Sequence, residues 1–337
     1  MPRAETATAT PNRAAAKTPD LAPGLPANLD DAAGTAAAMM KTPAAPPASA
    51  GVAAMVLATL LWGGTFVVLR DALHAIDPRP VVFVRFGLAG LVFLGVLLSR
   101  RGRITRRELV TGVVSGVLCG ALYLLQAIGL RTISAGSSAF LTCTGSLFTA
   151  LFAWPLLRQR PTAVMIAGML LGVVGAALLS LDERLRFGFG ELITVAGALS
   201  YTLGIIVVGR LGSRFDPLAV AAVQSLTTAL CLAGDAPRAF AEIPQLSPDV
   251  LARLAYLLVA GTLLAPWLQL VAQRSLPPGR IGLLLALEPV FALVLAVTAG
   301  HERFVPRWWL GAALILCAVA IVETHSARRP ATGGSAG

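Results

Sequence analysis

From Gly51 almost to the end of the chain, apolar runs of about 20 residues alternate with short polar connections in which arginine is the commonest charge. A run of that length crosses a hydrocarbon core of roughly 30 Å at 1.5 Å per helical residue. The polar punctuation bounds ten such runs, at residues 51–69, 80–98, 109–130, 135–157, 162–181, 190–208, 217–234, 251–271, 279–299 and 305–322. In lipid every backbone N–H and C=O must be bonded within the protein, and a lone segment rich in Leu, Val and Ala does this as a helix. The pattern therefore predicts an all-α membrane protein with ten transmembrane helices. Its short connections leave no room for a soluble domain.

Composition adds to this picture. Of the 337 residues, 56% are hydrophobic and 13% charged, with a mean hydropathy of +0.77, which excludes an ordinary soluble enzyme. Residues 1–50 stand apart, with 17 Ala, 8 Pro and 6 Thr and no aromatic. They bury too little apolar surface to offset the entropy of ordering and are predicted to be a disordered cytoplasmic tail; residues 323–337 are a second cytoplasmic tail. Asp20, Asp30 and Asp31 leave no apolar stretch for a signal peptide.

The net charge is +10, from 27 Lys+Arg against 17 Asp+Glu. These basic residues lie between apolar runs without interleaved aromatics, so they mark topology beside anionic lipid and not a nucleic-acid surface. With the N-terminus inside, 17 Lys/Arg fall on the cytoplasmic side and 9 on the other, which places both termini in the cytoplasm, as an even number of spans requires. Twenty-five arginines against only Lys17 and Lys41 fit GC-rich coding, so a bacterial inner membrane is the expected location. Cys119, Cys143, Cys231 and Cys317 lie in apolar runs without a CxxC and read as small packing residues. His74, His301 and His325 lie at loops or ends without an HExxH, so no metal or cofactor is expected.

An internal repeat emerges when residues 125–177 are laid on 268–320 at an offset of 143. Leu125/Leu268, Gln126/Gln269, Arg131/Arg274, Gly136/Gly279, Phe148/Phe291 and Gly168/Gly311 are among ten matches. Nearer the start of each half, Gly64/Gly204, Arg70/Arg210 and Asp77-Pro78/Asp216-Pro217 match at 139–140. The chain thus divides into residues 51–181 and 187–322, each with five helices. Because five is odd, the second half enters the membrane from the opposite side, the inverted repeat on which alternating-access transporters are built.

The run Leu60-Leu61-Trp62-Gly63-Gly64-Thr65-Phe66, then Asp77-Pro78 and Arg85-Phe86-Gly87-Leu88-Ala89, resembles the opening of EamA-type permeases of the drug/metabolite transporter superfamily. Gln126-Ala127-Ile128-Gly129-Leu130-Arg131, Ser134-Ala135-Gly136, Leu287-Glu288-Pro289-Val290 and His301-Glu302-Arg303 are similar to that family's repeat ends. Gln159 departs from the pattern, standing where the family's first repeat usually carries the Glu found at Glu302. The resemblance covers residues 52–322 and implies ten helices around a central cavity and export of a small metabolite, such as an amino acid, a nucleobase or a drug-like compound.

Only Arg85 and Glu288 place charges clearly inside spans, where an unpaired charge costs about 2.5–3.5 kcal/mol on insertion scales. They read as a cavity pair touching substrate, or with Glu288 as carrier of a coupling proton, or else as a structural ion pair, with Arg85 alternatively reaching the interface. Pro289 should kink the ninth span, and its repeat counterpart Gly145-Ser146 is a second weak point, so the cavity is predicted between helices four and nine. Trp62, Tyr123, Gln126, Ser137, Thr142, Tyr201, Gln224 and Gln269 complete the candidate substrate-binding set, while Trp308 and Trp309 read as an interfacial belt. The expected partners are a small-molecule substrate, membrane lipid and a coupling proton, in a monomer or homodimer. A passive channel would instead need a continuous polar pore, and an intramembrane enzyme a buried nucleophile with its base or a second carboxylate.

The topology is checked with reporter fusions at Gly337 and within residues 235–249. Ten spans require the two reporters to lie on opposite sides of the membrane; the same side at both contradicts them.

Overall fold

The computed structural model describes residues 44–133, 135–147, 149–180, 188–298 and 306–328. The tails 1–43 and 329–337, Ser134, Phe148, the junction 181–187 and the stretch holding His301, Glu302 and Arg303 lie outside the described residues. The helices are α1 (Ala48–Gly63), α2 (Thr65–Ala72), α3 (Pro78–Ser99), α4 (Arg106–Gly129), α5 (Ala135–Leu147), α6 (Thr149–Leu157), α7 (Ala163–Ser180) and α8 (Phe189–Gly209). They continue as α9 (Pro217–Cys231), α10 (Ala236–Glu242), α11 (Pro248–Leu258), a π-helical turn Val259–Leu264, α12 (Ala265–Gln273), α13 (Pro278–Leu285), α14 (Glu288–Thr298) and α15 (Pro306–Arg328). No strand occurs among the described residues.

Eight of these segments are long and apolar enough to cross a membrane: α1 with α2, α3, α4, Ser137–Leu157, α8, Pro248–Gln273, Pro278–Leu295 and Arg307–Ala327. The two other expected spans, the fifth and the seventh, fall outside these eight. The seventh is α9 alone, 15 residues long, after which the chain turns by 62° into residues 233–245; counting that bent pair as one span gives nine. Gly234, Asp235 and Pro237 are poor helix formers in sequence there, which explains the turn. The fifth is α7, an apolar helix of 18 residues that runs to the edge of the described residues. At the other margin, α1 begins at Ala48, inside the segment assigned to the tail, immediately after Pro47.

Starts and stops follow local chemistry. Pro78 and Pro217 each occupy the first helical turn, where a missing N–H costs nothing, behind Asp77 and Asp216 at the N-cap. Thr105 and Glu108 form a capping box on α4. In packing, α4 lies against α8, α1 against α12, α9 against α3 and α4, and α15 against α7, while α5 and α13 pack on α8 and α1 respectively. Small residues make these approaches possible: a Cβ on Gly116 would stand 2.7 Å from the Gln224 carbonyl oxygen, and one on Gly175 2.7 Å from that of Gly311.

Charges tie both ends of the bundle. Past the C-terminal end of α4, Asp77 pairs with Arg131 at 3.0 Å and Arg238 at 2.7 Å. The Arg238 hydrogen bond holds the Asp77 carboxyl below its ordinary value, aided by the charge of Arg131. The stabilisation from this cluster is therefore present above the ordinary carboxylate pKa and lost as pH falls through the lowered one. About 36 Å away, at the start of α4, Glu108 Oε1 accepts the backbone N–H of Asp216 at 2.7 Å.

Gly116 and Gly95 separate packing from propensity. Gly116→Leu meets backbone across the α4–α9 contact and is expected to destabilise by roughly 2 kcal/mol or more. Gly95 has nothing within 4 Å of a built Cβ, so Gly95→Ala should be neutral or stabilising. Thermal unfolding in detergent reads both, and equal effects would contradict the packing described.

Candidate functional site

The site begins with one proline. Pro266 lies in the first turn of α12 and has no N–H, so the helix ahead of it cannot bond every carbonyl. The backbone widens to the π-helical pattern over Val259–Leu264, in which residue 266 would bond the carbonyl of Gly261. That carbonyl is taken instead by the indole of Trp62, whose Nε1 donates to it at 3.1 Å across from α1. Thr262 Oγ1 donates back to Leu257 O at 2.9 Å, and Tyr256 OH donates to Leu61 O at 3.2 Å beside the bend at Gly64.

Arg85 on α3 uses the same irregular turn. Its Nε donates to Thr262 Oγ1 at 3.0 Å, and its guanidinium carbon stands 5.7 Å from the centre of the Tyr123 ring. Gly261 makes room for it, since a Cβ there would lie 3.2 Å from Arg85 Nη2 and 2.8 Å from Thr65 Cγ2. Trp62 and Tyr201 meet edge to face with ring centres 6.3 Å apart, and Phe86 stands 4.8 Å from Tyr123. Such aromatic pairs contribute about 0.5–1.5 kcal/mol each beyond burial.

A narrow cleft lies beside these groups, where α1, α4, α8, α9 and α12 converge. Trp62, Tyr123, Tyr201, Gln224 and Gln269 line it, joined by Ser115, Cys119 and Gln273. Ser115 Oγ donates to Gln224 Oε1 at 3.1 Å; Tyr201 OH donates to Gln269, whose Nε2 reaches Gln273 Oε1 at 3.4 Å, and Gln273 Nε2 caps Ile205 O at 2.9 Å. The free space at its widest takes little more than one or two waters.

A second irregularity lies in the ninth span. Ala286 and Leu287 donate to Leu283 and Leu284, three residues back, and α14 restarts at Glu288 with Pro289 in its first turn. The break thus precedes Glu288, which puts the carboxyl at a helix N-terminus. Glu288 is buried, and its carboxylate makes no hydrogen bond or ion pair among the described residues. It lies within electrostatic range of Tyr123, Tyr201 and Cys143.

Several expectations are corrected here. Arg85 and Glu288 form no ion pair, because Arg85 is directed to Thr262 and Tyr123. The cleft does not lie between the fourth and ninth expected spans, 135–157 and 279–299, where Leu283, Leu284, Leu285 and Thr142 are all buried. Gly145 and Ser146 stay helical within α5, with the Gly145 carbonyl accepting from Thr202 Oγ1 at 2.7 Å. Gln126 Nε2 donates to Thr142 Oγ1 at 3.0 Å, joining α4 to α5 away from the cleft, and Ser137 is half-buried on α5. The sequence reading missed Ser115, Cys119, Thr262 and Gln273; Pro266 inside an apolar run was the available signal. No group of three His, Cys, Asp or Glu among the described residues is placed to hold a metal.

Comparison with known proteins adds an independent line. The EamA-like transporter family model matches residues 49–181 and again 188–324. An uncharacterized transporter of Archaeoglobus fulgidus is 27% identical over 80% of this chain and 84% of its own. The uncharacterized inner membrane transporter YedA of Escherichia coli is 25% identical over 78% of this chain and 87% of its own. A protein of Chlamydia trachomatis named S-adenosylmethionine/S-adenosylhomocysteine transporter is 26% identical over 53% of this chain and 57% of its own. A solved crystal structure, 21% identical, superposes with a TM-score of 0.68 over 83% of this chain and 98% of its own, a likeness of fold.

The Arg85–Thr262 contact is measurable by a double-mutant cycle on thermal stability. Arg85→Lys keeps the charge and loses the Nε donor, Thr262→Val removes its acceptor, and the pair should couple by about 1–2 kcal/mol. Additive effects would contradict the contact.

Proposed function

The chain belongs to the EamA-like transporter family, and on that footing we propose that it is a secondary transporter that exports a small metabolite across a bacterial inner membrane by alternating access. Ten helices arranged as two inverted five-helix repeats carry the cargo, and both termini face the cytoplasm. The inner membrane assignment is supported by the relative YedA, and the repeat by the family model's two matches and by the pairing of α4 with α8 and α1 with α12. Under the offsets of 139–143 those two contacts are counterparts.

The observation that carries the reading is the aromatic and amide-lined cleft, set at the irregular turn of one helix in an otherwise apolar bundle. A cleft with room for a water or two passes no metabolite as it stands, so cargo enters only when the helices around it move. That distinguishes it from a continuous polar pore. Freed carbonyls and helix ends are the groups with which interrupted membrane helices meet ligands. The cargo class is an amino acid, a nucleobase or a drug-like compound. The Chlamydia relative's named cargo, which joins an amino acid to a nucleoside, supports the first two. Trp62, Tyr123 and Tyr201 offer ring faces, and the glutamines offer amide donors and acceptors.

Glu288 supplies the coupling. A carboxylate in an apolar setting is tolerated when it is paired or neutralised. Glu288 has no protein partner among the described residues, so a proton or a cationic group of the cargo completes it. Glu288→Gln keeps the shape and removes the exchange of charge. In proteoliposomes this variant should lose uphill, proton-driven flux while counterflow persists. Wild-type uphill flux by the variant would reject the coupling role.

A further inference from the structure

The bundle carries the same two residue types at opposite ends in different arrangements. Asp77-Pro78 and Asp216-Pro217 are repeat counterparts, as are Arg131 and Arg274. Each aspartate is the N-cap of a helix, α3 or α9, and those two helices pack on one another. Each arginine follows directly on a helix that lines the cleft, α4 or α12. The Asp216 end is fixed by its backbone bond to Glu108 in the first turn of α4, and the Asp77 end by its ion pair with Arg131 beyond the last turn.

The two aspartates spend their carboxylates differently. Asp77 makes no side-chain bond to its own helix and instead holds Arg131 at 3.0 Å and Arg238 at 2.7 Å. Asp216 caps its own helix, Oδ1 accepting from Leu218 N at 2.9 Å, and is in no ion pair among the described residues. Arg274 meanwhile donates its Nε to the Ser213 carbonyl at 3.2 Å, within electrostatic range of Asp216. Capping the helix and clasping an arginine are two uses of the same short side chain. One end shows the first and the other end the second.

We infer that Asp77 with Arg131 and Arg238, and Asp216 with Arg274, are a pair of gates at opposite ends of the transport cleft, each closed when its aspartate leaves the helix cap for the arginine. The inference rests on the alternating-access reading above. In the opposite-facing state Asp216 takes Arg274 while Asp77 returns to capping α3 and releases Arg131 and Arg238. Two equivalent elements that exchange arrangements supply the bistable device that alternating access needs.

The test uses Cys119, which lines the cleft, as the sole thiol after Cys143, Cys231 and Cys317 are replaced by alanine. A membrane-impermeant methanethiosulfonate is applied to the Asp77 face of oriented vesicles holding the full-length protein. Asp77→Asn keeps a good N-cap residue but removes the clasp, and should raise the labelling rate about fivefold. Arg274→Gln removes the opposite clasp and should lower it. The exchange Asp77→Arg with Arg131→Asp restores opposite charges at that end and should return the rate to within about twofold of the parent. Equal rates in all four proteins, or both single variants moving the rate the same way, overturn the gates while counterflow by the parent leaves the transport reading standing. No labelling in any of them, with no counterflow, overturns both.

Discussion

The hydrogen bond from Trp62 to the Gly261 carbonyl is the contact on which the rest of the site depends. A carbonyl that Pro266 leaves unbonded costs several kcal/mol within a membrane span if it stays open. A side chain from the other half of the chain meets that need, which fixes α1 against the start of α12. Once the turn is widened, Gly261 admits the Arg85 guanidinium and Thr262 accepts its Nε. Tyr123, under the same guanidinium, then forms one wall of the cleft. A local defect in one helix thus positions residues from α1, α3 and α4.

Magnitudes show why the two intramembrane charges are treated so differently. Burying a charge at mid-span costs about 2.5–3.5 kcal/mol on the lenient scale. A hydrogen bond to a charged group returns roughly 1.5–3 kcal/mol, and a desolvated cation–π contact about 2. Arg85 with both contacts comes near balance and is a structural support for the cleft. Glu288 has neither, so its position is a cost that folding alone does not explain. Its setting at the restart of α14 offers the favourable end of a helix dipole, worth no more than about 2 kcal/mol.

What the sequence made legible follows the same physics. Trp62, Tyr123, Tyr201, Gln224 and Gln269 stand out because a polar or aromatic group in an apolar run must find a partner, and all five converge on the cleft. Ser115 and Cys119 are too small to stand out in that way. Thr262 acquires its role only through the turn created by Pro266, four residues on. The Arg85–Glu288 pairing failed as an expectation because depth along a helix says nothing of the direction a side chain faces around it. The ten apolar runs were visible, but hydropathy does not register where α9 stops and turns.

The most direct test of transport through a gated cleft is release from proteoliposomes loaded with an isotopically labelled extract of small cytosolic metabolites. The account requires at least one amino-acid, nucleobase or drug-like compound to leave faster than from protein-free vesicles. Its release should saturate with concentration and be accelerated by the same unlabelled compound outside. Release that rises linearly without acceleration from the far side, or that is independent of the protein, would contradict it.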